Sequence, residues 1–191
     1  MSVVVGVKID DSISIACDTQ SSRGSLKILD TYMSNHTKIF KFNESLIGIT
    51  GWFALEQIFH HVLTTKPEIL DFSSRVSIFE SLLKIQGVFE EEYFVETSEN
   101  DDQPVSSNQL TAIILNRHGL FDIDSYREVN QFTRFWAIGS GQELALGAMH
   151  ALHGKGCSAK EIAGAGVQAA CDFNDGCSAP INIETMQVEE S

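Results

Sequence analysis

Apolar positions along the chain follow two periods, and the changes between them mark out the elements. Val3 to Ile9 is a nearly continuous apolar run, the pattern of a strand buried on both faces. Asp10-Asp11 reads as a tight turn, after which Ser12-Ile13-Ser14-Ile15-Ala16 alternates with period two, as a hairpin partner does. Ser21 to Ser34 is polar and reads as a surface excursion. Strands resume at Thr37–Phe42 and Leu46–Gly51, joined by a turn at Asn43-Glu44. From Trp52 the period turns helical: Leu55, Ile58, Phe59, Val62 and Leu63 form one stripe, stopped by Pro67. A second helix is expected to bury Val76, Phe79, Leu82, Leu83 and Val88. Thr97 to Asn108 is polar and acidic and reads as an exposed loop.

Strands return at Leu110–Leu115, Leu120–Asp124 and Phe135–Ile138. A helix over Gln142–His153 ends at Gly154, a C-cap. Ser158-Ala159-Lys160-Glu161 has the form of a capping box and opens a last helix, whose Ala and Gly residues suit close packing. Pro180–Ile183 is a final strand. The order is strands, two helices, strands, two helices, strand. Two antiparallel sheets covered by helices on both outer faces account for it: an α+β fold, a four-layer αββα sandwich, in a single domain over residues 1–191.

Composition narrows the function classes. With 191 residues, 43% hydrophobic and 20% charged, the chain has the makings of a sizeable core. A net charge of −13 argues against nucleic acid and anionic membranes as partners. No apolar run approaches a membrane span and no secretory leader is evident, so the chain is read as cytoplasmic. Cys17, Cys157, Cys171 and Cys177 are scattered without a CxxC pair, which favours reduced thiols over disulfides or zinc. No cofactor or metal is implied.

Candidate chemistry sits at the ends of buried elements. Removal of Met1 is favoured by the small side chain of Ser2 and would leave Ser2 with a hydroxyl nucleophile and a free α-amine on one residue. An antiparallel hairpin returns the end of strand two to the start of strand one, so Asp18 comes near Ser2. Lys38 opens strand three, Ser140 lies between Gly139 and Gly141, and Asp175 and Ser178 follow the last helix. Each has a plainer explanation taken singly: a turn residue for Asp18, a snorkelling amine for Lys38, a helix-end cap for Asp175 and Ser178. Gly139-Ser140-Gly141 lacks the third glycine of a dinucleotide fingerprint and the lysine of a P-loop, so nucleotide binding is not expected.

Taken in order, these residues resemble a proteasome β-type subunit, of the bacterial branch that includes the two-ring peptidase HslV. The carriers are Ser2-Val3-Val4-Val5-Gly6-Val7, Ala16-Cys17-Asp18-Thr19-Gln20, Lys38, Gly48-Ile49-Thr50-Gly51, Ala137-Ile138-Gly139-Ser140-Gly141 and Asp175-Gly176-Cys177-Ser178. The acidic character and serine start look most like the proteasome homologues described from betaproteobacteria. The resemblance implies an N-terminal-nucleophile peptidase. Ser2 would attack the peptide carbonyl, Asp18 would orient Lys38, and Ser140, Asp175 and Ser178 would position the amine. The N–H of Gly51 would face the oxyanion. Ser22 would pair with the substrate main chain, and His36, Phe40, Ile49 and Phe53 would line a specificity pocket that accepts apolar side chains. Also implied are hexameric or heptameric rings of identical subunits stacked as a double ring, a peptide or unfolded-protein substrate, and a possible ATP-dependent unfoldase.

Two departures stand out. The family's usual nucleophile is threonine; serine lacks the methyl that restricts the rotamer, so slower hydrolysis is expected. Ala179 stands where glycine is common. Other readings are a small-amide amidohydrolase of the same nucleophile class, and a non-catalytic ring homologue that keeps Met1.

Overall fold

The structure, a computed structural model, describes residues 2–34 and 36–188. Met1, on whose removal the expected nucleophile depends, lies outside the described residues. A four-stranded antiparallel sheet has the order β10-β1-β2-β11, and a five-stranded one the order β5-β6-β7-β8-β9. Their strands are β1 Val3–Ile9, β2 Ser12–Asp18, β5 Ile39–Phe42, β6 Ser45–Thr50, β7 Thr111–Asn116, β8 Gly119–Ile123, β9 Val129–Phe132, β10 Phe135–Gly139 and β11 Ile181–Gln187. Helices α1 (Phe53–Thr65) and α2 (Arg75–Glu92) pack on the five-stranded sheet, and α3 (Gln142–Leu152) and α4 (Ala159–Phe173) on the other. The expected αββα sandwich is what forms.

The apolar run of β1 explains the layering, because successive side chains of a strand point to opposite faces. Val3, Val5 and Val7 pack with Ala145, Met149, Ile162 and Val167 beneath α3 and α4. Val4 points the other way, into a cluster with Ile13, Ile15, Ile113 and Leu115 between the sheets. A third cluster joins Ile47, Ile49, Ile114 and Phe121 to Leu55, Phe59, Ile78, Leu82, Ile85 and Phe89 of α1 and α2. The sheets approach closely at Gly48, where an added Cβ would lie 2.4 Å from Val4 Cγ1 and 2.8 Å from Ile15 Cδ1.

Several expectations change. The surface excursion over Ser21–Ser34 contains a small, largely exposed hairpin, β3 (Ser21–Arg23) with β4 (Leu26–Ile28). Strand β9 escaped a periodicity reading because Asn130 and Gln131 interrupt it. The buried face of α2 is Ile78, Leu82, Ile85 and Phe89, while Val76, Phe79 and Leu83 are 67%, 44% and 49% exposed. The helix carries two apolar stripes, and the sheet takes the one with the larger cluster of β-branched and aromatic residues. The loop over Thr97–Asn108 is exposed at its tip but anchored at its end. Ser107 and Asn108 are fully buried, Asn108 N donates to Ser125 O at 2.9 Å, and Gln86 Nε2 of α2 donates to Ser107 O at 3.2 Å. The capping box at Ser158 and Glu161 forms in both directions.

Two glycines should respond oppositely to the same substitution. Gly48→Ala forces a methyl against stiff β-branched neighbours and should destabilise by about 1–3 kcal/mol. Gly87, inside α2 with nothing within 4 Å of its added Cβ, should become more stable as Ala by about 0.5–1 kcal/mol. Urea unfolding of both variants checks the pair; equal effects would contradict the sheet-to-sheet contact.

Candidate active site

The β1–β2 hairpin pairs Val4 with Cys17, which sets Asp18 beside the backbone of Ser2 and Val3. Asp18 is fully buried and collects four donors. Lys38 Nζ lies 2.7 Å from Oδ1, Val3 N donates to the same oxygen at 2.9 Å, and Oδ2 accepts from Gln20 N at 3.0 Å and Ser178 N at 3.3 Å. Lys38, 3% exposed, also donates to Gln20 O at 2.8 Å. Its backbone is held in turn, because Ile49 N donates to Lys38 O at 3.0 Å. The ion pair is therefore locked from both sheets.

Ser2 is 7% exposed and reaches the same place from the other side. Its N donates to Ser140 Oγ at 3.2 Å, and its carbonyl accepts from Gly141 N at 3.4 Å. Gly139 makes this approach possible. Its φ of +91° is in the region that favours glycine, and a Cβ there would lie 2.3 Å from Ser2 O. The glycines around Ser140 thus admit the Ser2 backbone.

Ser2, Lys38 and Gly51 open on one cleft of about 630 Å³, shared with Gln20, Ser22, Met33, Phe53 and Glu56 among others. Gly51, at φ +121°, precedes α1, whose first turn has no side-chain cap among the described residues. The positive end of that helix therefore borders the cleft. A second cavity of about 420 Å³ shares Met33, Phe53 and Glu56 with the first and is lined also by His36, Phe40 and His60.

A proteasome-subunit family model matches residues 2–179. The chain belongs to the proteasome family. Bacterial proteasome homologue BPH of Thiobacillus denitrificans in complex with epoxomicin superposes with a TM-score of 0.90 at 30% identity, covering 98% of this chain and 99% of that one. A second BPH structure gives 0.91 at 29%, covering 99% and 100%. Eukaryotic HslV from Trypanosoma brucei shares the fold, with a TM-score of 0.67 at 19% identity over 97% and 99%. No curated protein matches the chain.

Within this proteasome-type subunit the residues singled out from sequence are placed unevenly. Ser2, Asp18, Lys38, Ser140 and the backbone of Ser178 converge. Ser178 Oγ is buried without a partner among the described residues. Asp175 is exposed and enters the network through its carbonyl, which accepts from Gln20 Nε2 at 3.0 Å. The side chain beside Ser140 is instead Asn174: Oδ1 lies 3.3 Å from Ser140 Oγ, and Nδ2 donates to Ser140 O at 3.0 Å. Ser22 and Phe53 line the cleft. Phe40 lines only the second cavity, stacked on His60 at 4.8 Å, and Ile49 is packed in the core beneath α1 rather than lining either.

Gln20, Asn174 and Glu56 carried no sequence signal of their own, since each is an ordinary polar residue at a strand end, a helix end or a first turn. Glu56 is the most informative. Burial pushes its carboxyl up to about 7, against the opposing pull of Lys38. Burial likewise lifts the thiols of Cys17 and Cys177 to about 12, which leaves both protonated and inert at neutral pH.

Asp18→Ala leaves the Lys38 ammonium buried and unpaired and should cost about 3–5 kcal/mol. Lys38→Met should be costly for the mirror reason. The double variant should lose less than the sum of the two, and urea titrations that add instead would deny the coupling.

Proposed function

We propose that this chain is a catalytic proteasome-type subunit, an N-terminal-nucleophile peptidase that uses Ser2. The observation that carries the reading is the network that joins Ser2 to Ser140 and Lys38 to Asp18, with Ser2 and Lys38 lining one cleft that also opens on Gly51 and the start of α1. Once Met1 is removed, the nitrogen that donates to Ser140 Oγ is an amine. Its ordinary pKa, about 8, suits it to take a proton near neutral pH, directly or through water.

In this mechanism Ser2 Oγ adds to the substrate carbonyl as its proton passes to the α-amine. The tetrahedral oxyanion faces the Gly51 N–H and the positive end of α1. Collapse expels the amine product, which takes up the proton, and leaves a Ser2 ester. Water, deprotonated by the same amine, hydrolyses the ester and regenerates the hydroxyl. Lys38 supplies a fixed positive charge beside the nucleophile, and Asp18 holds it there. Ser22, on β3, offers a polar edge for the substrate main chain.

The subunit is proposed to act in a closed double ring of six or seven identical copies per ring, fed with unfolded chains by an ATP-dependent partner. The Val76-Phe79-Leu83 stripe on α2 supports self-association, because an apolar face of this kind on a soluble chain marks a contact surface. The similarity to a relative solved with epoxomicin supports the peptidase reading.

Intact-protein mass spectrometry before and after incubation with epoxomicin tests this. The expected result is loss of the Met1 mass followed by a stable adduct, absent from Ser2→Ala. Retained Met1 with no adduct would instead identify a non-catalytic ring homologue. Lys38→Ala should lower peptide hydrolysis by about two orders of magnitude or more, and native mass spectrometry reports the ring.

A further inference from the structure

The cleft that opens on Ser2 and Gly51 is lined also by Glu56, in the first turn of α1, with Phe53 and Met33 among its apolar walls. The Glu56 side chain is only 13% exposed, and its ion-pair neighbour among the described residues is His36, with Nδ1 at 3.8 Å from Oε1. That separation is too long for a hydrogen bond. Burial and the nearby Lys38 charge lower the pKa of His36, so its ring is neutral at pH 7, and Nε2 sits 3.0 Å from Ser21 Oγ. Lys38, the cation that acts on Glu56, is committed to Asp18 and Gln20 O. Glu56 thus has no full counter-charge among the described residues, in surroundings where an unpaired carboxylate is costly.

A side chain that relieves this has an aliphatic stem, to lie on Phe53 and Met33, and a cationic head, to reach Glu56. Lysine and arginine have that shape, and an aromatic wall adds to the attraction for the head. We propose that Glu56 selects substrates by charge, so that the side chain seated beside Ser2 is Lys or Arg rather than the apolar residue expected from the sequence. This rests on the peptidase reading for its meaning as cleavage specificity, but the recognition itself needs no catalysis. The net charge of −13 acts in the same direction by concentrating cationic peptides near the protein.

The pH dependence has a definite sign. The Glu56 carboxyl titrates near 7, above the ordinary carboxylate range, so the anionic form that holds a cation is present above that pH and is lost as the pH falls through it. The titratable and charged groups around it are His36 and Lys38 on the segment entering β5, His60 one turn further along α1, and Arg23 on β3 at the cleft rim.

The test uses full-length Ser2→Ala protein, which binds without turnover, and fluorescent peptides identical except for a terminal Lys or norleucine. At about pH 8 the Lys peptide should bind about tenfold more tightly by anisotropy, falling to within about twofold at about pH 6. Glu56→Gln, of the same shape, should abolish the preference, and Glu56→Lys should transfer it to a Glu-terminated peptide. Equal or tighter binding of the norleucine peptide, no binding of either, or an unchanged preference in Glu56→Gln would overturn the assignment. The two readings fail separately. Lys-selective binding with no hydrolysis by the Ser2 protein removes the peptidase and keeps the Glu56 site, whereas hydrolysis after apolar residues does the reverse.

Discussion

A single buried carboxylate holds the organisation of this protein together. Asp18 is removed from water, and a charge in that position is tolerable only if its oxygens are filled with donors and a counter-ion. Those donors come from four places: the start of β1, the residues just past β2, the turn after α4, and the segment entering β5 in the opposite sheet. Each must arrive for the charge to be satisfied. The carboxylate therefore couples the register of the first hairpin to the contact between the two sheets and to the end of the last helix.

Much of this was legible because it follows from strand geometry. Two strands joined by Asp10-Asp11 must bring Asp18 back to Ser2, whatever else the chain does. The helices of the second half were equally plain, since the Ser158–Glu161 box and the glycine after α3 are local signals that need no tertiary context. The inward face of α2 was less accessible. Val76-Phe79-Leu83 and Ile78-Leu82-Ile85-Phe89 both satisfy a helical period, and only the neighbouring sheet decides between them. β3, β4 and β9 are too short, and too polar, for an alternation to rise above the background.

At the site, the residues that sequence missed act through position rather than type. Asn174 takes the place expected for the Asp175 carboxylate, one residue earlier, because the turn after α4 points Asp175 outward. Glu56 looks like any helix-start carboxylate until α1 is laid against the segment around His36. Two carboxylates then lie near Ser2 in contrasting company. Among the described residues Asp18 is saturated with donors and Glu56 is not, which sets a charge enclosed by the scaffold apart from one that faces the cleft.

The bonds at Ser2 also bear on how such a site could come into being. Its carbonyl is held by Gly141, and the following N–H by Asp18; neither involves the bond that precedes Ser2. The contact from Ser2 N to Ser140 uses a hydrogen that survives when an amide becomes an amine. The hydrogen bonds that place Ser2 are therefore made by groups that an amide and an amine at that nitrogen have in common.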